Sequence, residues 1–247
     1  MTLVVDIGNT RLKWALADGV SLSARGETAY RKEGVWEALD ERWRRLSAPP
    51  QVLACNVAGT AVAEALTTWV ARYWRCEVTF VRARAVGWGV TSAYDDAGSL
   101  GADRWAALIA AQRKFSPPVC VVDCGTAITI DVLAAGGQHL GGLIIPGLTL
   151  MRRSLSKNTD GIREVVSGRV SLLARNTNDG VTAGTLYAAV AVIDRVVTDV
   201  EAALQEAVVC VLSGGDAKLL ASLLARGAVC EPDLVLQGLA VMADSPA

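Results

Sequence analysis

Short runs of β-branched and other apolar residues, punctuated by Gly, Asp and Pro, set the rhythm of this chain. Residues 3–8, 11–17 and 20–28 read as three strands joined by tight turns, with Ala17-Asp18-Gly19 a strong hairpin signal. A helical period over 33–46 ends before Pro49-Pro50 and leads to a strand at 52–57, a helix over 60–74 and a strand at 78–81. Residues 82–99 are richer in Gly, Asp and Ser and read as a loop, which opens into an Ala-rich helix ending near Lys114. Past Pro117-Pro118 the order restarts, with strands at 119–124, 127–133 and 138–145 and a turn at Gly136-Gly137. A helix over 148–155, a polar irregular stretch over 156–180 and a long helix over 181–206 follow. A strand at 208–212, a helix over 216–226, Val229-Cys230 and a short helix over 234–242 close the chain. Three strands and then alternating helix and strand describe an α/β unit, and that series occurs twice.

The repetition extends to single residues. Val4-Val5-Asp6-Ile7-Gly8 and Val121-Val122-Asp123-Cys124-Gly125 share two β-branched residues, an aspartate, one residue and a glycine. Their separation is close to half the chain, so the economical reading is two similar halves, 1–116 and 117–247. An Asp ending an apolar strand can meet a hydrated cation, and the Gly beyond it lets backbone N–H groups approach an anion. Asn9, Thr10, Arg11 and Lys13 add donors and positive charge. These are parts for gripping a metal-bound polyphosphate. A single Asp-x-Gly-Asn is most often a plain turn; two copies, one per half, favour phosphate.

Composition narrows the class without choosing the chemistry. The 247 residues, 52% hydrophobic, are ample for a core. With 24 basic residues against 25 acidic ones and no long Lys/Arg run, no nucleic-acid partner is expected. The clusters Arg42, Arg44, Arg45 and Arg152, Arg153 read as solvated helix faces. No run of about eighteen apolar residues and no leader-like start is present, so no membrane span and a cytoplasmic location are expected. Six cysteines without CxxC spacing read as buried thiols. The single histidine, His139, reads as a turn or surface residue.

Two further sites carry candidate chemistry. Gly101-Ala102-Asp103-Arg104 places an acid and a guanidinium side by side at a helix N-terminus, where the macrodipole favours negative charge. A first-turn helix acid and a functional carboxylate are about equally good readings of Asp103. Ser213-Gly214-Gly215-Asp216, at a strand-to-helix junction, suits close approach of a flat or phosphorylated ligand, or is a tight turn.

Six segments in one order resemble the type III pantothenate kinases of the acetate and sugar kinase/Hsp70/actin superfamily. They are Asp-Ile-Gly-Asn-Thr at 6–10, Gly-Ala-Asp-Arg at 101–104, Asp-Cys-Gly-Thr-Ala at 123–127, Gly-Gly-x-x-x-Pro-Gly at 141–147, Asn-Thr at 176–177 and Gly-Gly-Asp at 214–216. The resemblance implies an α/β fold of two RNase-H-like (actin-like ATPase) halves with an interdomain active-site cleft. It implies ATP-dependent phosphorylation of the terminal hydroxyl of pantothenate, the first step toward coenzyme A, by a homodimer whose interface completes part of the substrate pocket.

Carried onto this sequence, the resemblance makes Asp6, Ile7, Gly8, Asn9, Thr10, Arg11, Leu12 and Lys13 the first phosphate loop, with Asp6 directed at hydrated Mg²⁺. Asp123 resembles a ligand for a monovalent cation, K⁺ or NH₄⁺, and Thr126 a contact to the ATP phosphates. Tyr94, Gly101, Ala102, Asp103, Arg104 and Thr177 fall where the family holds pantothenate, and Gly214 and Gly215 where the superfamily holds adenosine. Asp103 takes the part of general base, at an ordinary carboxylate pKa, because a proton accepted late in phosphoryl transfer asks for no more. Two other readings compete: a transcriptional accessory protein on the same fold, and a superfamily kinase for another small alcohol. Retention of Asp6, Asp103, Arg104 and Asp123 together argues against a degenerate regulator.

Overall fold

The predicted strand and helix series is realised almost element by element in the computed structural model, which describes residues 1–116, 118–163, 165 and 168–245. In chain order the elements are β1 (Thr2–Ile7), β2 (Arg11–Asp18), β3 (Ser21–Ala29), α1 (Val35–Trp43), β4 (Val52–Asn56), α2 (Thr60–Tyr73) and β5 (Val78–Phe80). Two short strands follow inside the expected loop, β6 (Val86–Gly87) and β7 (Val90–Thr91), and then α3 (Ala102–Lys114). The second series is β8 (Val119–Cys124), β9 (Ala127–Ala134), β10 (Gln138–Pro146), α4 (Leu148–Asn158), α5 (Thr177–Leu204), β11 (Val209–Ser213), α6 (Ala217–Ala221), β12 (Val229–Cys230) and α7 (Leu234–Asp244).

The chain forms two compact units. Unit 1 comprises residues 1–115, 136–140 and 233–247, and unit 2 comprises 116–135 and 141–232. Besides residues 1–115, unit 1 takes in α7 and the short turn 136–140. The residue at the break, Pro117, lies outside the described residues, as do Glu164, Val166 and Ser167 in the polar stretch.

Unit 1 carries a sheet ordered β3-β2-β1-β4-β5, with β1 antiparallel to β2 and parallel to β4. In unit 2 the order is β10-β9-β8-β11-β12, with β8 antiparallel to β9 and parallel to β11. The five strands β12-β11-β8-β9-β10 repeat the order of the first sheet, β7 and β6 continue the second sheet beyond β10 to make seven strands, and an Asp-x-Gly turn follows β1 and β8. Central strands are covered on both faces, which is why Leu3, Val4, Val5 and Ile7, and Val119 to Val122, read as apolar runs instead of alternating.

Unit 1 is packed around tryptophan. Trp43 stacks on Trp74 at 5.2 Å and meets Trp14 and Trp69 edge-on at 5.6 and 5.9 Å, with Leu3, Val5, Leu39 and Leu66 filling between. The helices α3 and α7 also meet within unit 1 at the closest range a backbone allows: a Cβ at Gly238 would lie 1.9 Å from the Ala106 carbonyl oxygen. Unit 2 is centred on α5, whose Leu186, Ala189, Val190, Ile193 and Val197 pack on Cys120, Val122, Ile128, Ile130 and Leu212. By length and composition α5 is apolar enough to cross a membrane, and half of its most apolar window is buried inside the structure, as befits a core helix.

Candidate active site

In unit 1, Asp6 sits one residue before the end of β1, across from Lys13 on β2 and Cys55 on β4. The Cys55 thiol donates to Asp6 Oδ1 at 3.2 Å. Beyond Ile7 the chain turns tightly, with the Gly8 N–H donating to the Arg11 carbonyl at 3.0 Å. Three neighbouring segments hold this turn: Tyr30 Oη donates to the Gly8 carbonyl at 2.6 Å, Asn9 Nδ2 to the Val57 carbonyl at 3.4 Å, and Arg31 Nε to the Asn9 carbonyl. The result is a preset loop that exposes Asn9, Thr10 and Arg11. Ile7 and Leu12 are buried in the core, so they can offer a ligand only backbone, and the Arg11 guanidinium is engaged with Glu27 at 2.7 Å.

Burial, aided by the charge of Asp103, raises the Asp6 carboxyl to about 6, against the lowering influence of the Cys55 hydrogen bond and Lys13. Asp103 occupies the first turn of α3, where its Oδ1 accepts from the Arg104 N–H at 2.8 Å. Gly101 makes room for it, since a Cβ there would lie 2.6 Å from Asp103 Oδ1. Two carboxylates close enough to feel each other, one of them desolvated, form a place that favours a cation.

Arg104 is buried, and its guanidinium donates to Tyr94 Oη at 2.8 Å while lying over the same ring at 5.5 Å. His139 departs from expectation. It is fully buried in β10, within unit 1, its ring stacked on Tyr94 at 6.0 Å and its Nδ1 accepting from the Ala93 N–H at 3.4 Å. Instead of lying at the surface, it is buried because the turn before it folds back onto the Tyr94 loop.

Unit 2 presents the second turn. Asp123 pairs in register with Thr129 on β9 and Ser213 on β11, placing the ends of β8 and β11 side by side. The Gly125 N–H donates to the Ala127 carbonyl at 3.1 Å, Gly147 N–H to Thr126 at 3.0 Å, and Asp216 N–H to Cys124 at 3.1 Å. Gly214 has φ 90°, and a Cβ on it would lie 2.6 Å from both Asp123 Oδ1 and the Cys124 carbonyl. Gly147 is equally constrained, its would-be Cβ 2.2 Å from the Gly125 carbonyl. Gly215 faces open space and Thr126 is exposed. The structure thus brings Asp123, Thr126, Gly214 and Gly215 together in unit 2, and Asp6, Lys13 and Asp103 together in unit 1, with Tyr94 bonded to Arg104.

Thr177 opens α5, not the irregular stretch, because Asn176 caps that helix by accepting from the Asp179 N–H at 2.9 Å; it is exposed on unit 2. Arg152, read as a solvated helix face, is half-buried instead: it donates to Thr185 Oγ1 at 3.2 Å and its charge offsets the upward push that burial exerts on Asp216. All six cysteines are free thiols. Sequence reasoning missed Cys55, Tyr30 and His139 as partners of site residues. Strand order could have found Cys55, since β4 must flank β1; the other two depend on loop paths.

The duplicated α/β unit with an Asp-x-Gly turn after each central strand is a fold this chain shares with solved structures. The chain covers 100% of a protein described as a 2-dehydro-3-deoxygalactonokinase from Sinorhizobium meliloti, with TM-score 0.60 and 15% identity. It also matches a protein described as a Baf family transcriptional activator from Campylobacter jejuni, with TM-score 0.63, 20% identity, and 99% of this chain and 98% of that one covered. At these identities the likeness is one of fold. The family model for type III pantothenate kinases matches residues 2–199, and the chain belongs to that family. Type III pantothenate kinases of Nitrosococcus oceani and Azoarcus sp. are 43% and 39% identical to it, over 98% and 100% of this chain and 94% and 92% of theirs. It is a kinase, and its family acts on pantothenate in coenzyme A biosynthesis.

Proposed function

We propose that this protein transfers the γ-phosphoryl group of ATP to the terminal hydroxyl of pantothenate, using Asp103 as general base and the turns after β1 and β8 as phosphate loops. The observation that carries the reading beyond family membership is the placement of Asp103 within the electrostatic reach of Asp6, at a helix N-terminus cleared by Gly101.

Phosphoryl transfer asks the protein for position and charge compensation more than for covalent chemistry. Gly8 to Thr10 offer backbone and side-chain donors to phosphate oxygens, Lys13 supplies a positive charge beside Asp6, and Thr126 offers a hydroxyl from the second turn. Asp103 takes the proton of the substrate alcohol as the new P–O bond forms. Arg104 and Tyr94 contact the body of pantothenate, with Gly101 and Ala102 alongside; Thr177 is a further contact, and Gly214 and Gly215 border the adenosine.

The residues present fit two cations. The desolvated, doubly acidic surroundings of Asp6 suit Mg²⁺ held through water, and Asp123, whose carboxylate adjoins the Gly214 backbone with Asp216 near it, suits K⁺ or NH₄⁺. When bound, these ions neutralise charge on the transferring phosphate oxygens. The acting form is proposed to be a cytoplasmic homodimer.

An assay coupling ADP release to absorbance, with ATP, Mg²⁺, K⁺ and pantothenate, should show turnover, and mass spectrometry should show the phosphorylated product. Asp103→Asn should lower kcat by roughly 10²–10⁴-fold with an unchanged melting temperature. Full activity of that variant would remove Asp103 as the base, and turnover of another alcohol in preference to pantothenate would change the substrate.

A further inference from the structure

The turn at 136–140 is a segment of the second sequence repeat that folds as part of unit 1, and it lies along the loop that carries Tyr94. Three contacts advance in step. Gly137 approaches Gly89 so closely that a Cβ would lie 1.8 Å from the Gly89 carbonyl oxygen. Gln138 pairs with Thr91 in the β10–β7 register. His139 then accepts the Ala93 N–H at Nδ1 and lays its ring against Tyr94.

Tyr94 is therefore held at two places. Its ring face rests on a fully buried imidazole at 6.0 Å, with 19° between the planes, within the range of offset stacking. Its phenolic oxygen accepts from Arg104 at 2.8 Å. Because that oxygen is an acceptor toward Arg104, the phenol proton is left to donate to a substrate oxygen. The backbone bond to Nδ1 orients the imidazole ring against Tyr94. A loop residue with one polar anchor can pivot about it; the stack on His139 removes that freedom.

We infer that His139 is a positioning residue for substrate recognition, fixing Tyr94 so that its hydroxyl meets the polar body of the pantothenate-class alcohol. This rests on the function proposed above. The contacts of His139 with Ala93 and Tyr94 lie on the loop assigned to the alcohol, so its effect should fall on that substrate.

The test compares His139→Ala, His139→Phe and His139→Asn with wild type, alone and in a Tyr94→Phe background, by steady-state kinetics and thermal unfolding. His139→Ala should raise KM for pantothenate about tenfold, from loss of the stack and the backbone bond, with kcat and KM for ATP within about twofold. His139→Phe keeps a flat ring of similar size and should recover most of that loss; His139→Asn keeps an acceptor without the ring and should recover less. In the Tyr94→Phe background, where the hydroxyl is already gone, His139→Ala should add little. An unchanged KM for pantothenate in His139→Ala overturns the inference. So does a loss spread equally over kcat and both KM values with a lowered melting temperature, which marks a structural role only. If wild type fails to phosphorylate pantothenate the functional reading falls and this inference with it, an outcome visible before any variant is compared.

Discussion

Glycines at the two turns divide by what demands them. At Gly8 the nearest neighbour of an added Cβ is the Arg11 carbonyl at 3.5 Å, and at Gly125 it is Asp123 Oδ2 at 3.5 Å, both ordinary contacts. The chain's own packing does not require glycine there, which agrees with the close phosphate approach proposed for both turns. At Gly214 both a positive φ and a backbone clash require it. Gly8→Ala should therefore leave the melting temperature nearly unchanged while raising KM for ATP. Gly214→Ala should lower stability by at least about 2 kcal/mol, seen in chemical denaturation. The opposite ranking in stability would show that the first turn is a structural turn.

Asp6 adds a pH signature at the same scale. Below pH 3.8 its carboxyl is protonated whether the chain is folded or not. Between 3.8 and about 6 the unfolded chain has released the proton that the folded one still holds, so stability falls as pH rises through that window and is level above it. The shift corresponds to about 3 kcal/mol. Asp6→Asn should be the more stable protein at pH 7.5 and lose its advantage near pH 4, as thermal melts across pH would show. MgATP should shrink the difference, because a bound cation favours the ionised form.

Among elements, β1 and β8 were legible from sequence because a doubly covered strand leaves a continuous apolar run, and because Asp and Gly end it. The start of α5 was misplaced by four residues: Asn176 and Asp179 form its cap, a local signal available in the sequence but obscured by the polar residues around it. The helix α6 is shorter than its pattern suggested, ending at Ala221. Pairing of α3 with α7 had no sequence signal, since it joins a helix from the middle of the chain to one near its C-terminus. Their backbones meet at Gly238 and Ala106 without space for a methyl group, so Gly238→Ala should destabilise by about 1–3 kcal/mol or more. As α3 carries Asp103 and Arg104, activity should fall with it, and denaturant titration beside the ADP assay would show both. Retained stability would mean that the two helices can separate at no cost.

At the scale of the whole molecule, the duplication is the main fact: one topology built twice, each copy ending its central strand in Asp-x-Gly. Divergence between the copies supports the division of labour proposed for Asp6 and Asp123. Replacing K⁺ by Na⁺ should lower turnover in the wild type and have little effect in Asp123→Ala; an equal response in both would remove Asp123 from cation binding. Light scattering should give twice the chain mass of 25.9 kDa if the proposed homodimer forms.

The sequence by itself determined the two repeats, their succession of strands and helices, the carboxylates and glycines of the turns, and through six ordered segments the family. These are local patterns: an apolar run with its punctuation is written in consecutive residues. The tertiary structure alone decided that α7 and the 136–140 turn join unit 1, that Cys55 bonds Asp6, that Arg152 is half-buried, and that the sole histidine is buried under Tyr94. Each of these depends on which distant segments share space. Such choices are settled by the packing of whole faces and the satisfaction of buried polar groups, for which no short stretch of chain carries the pattern.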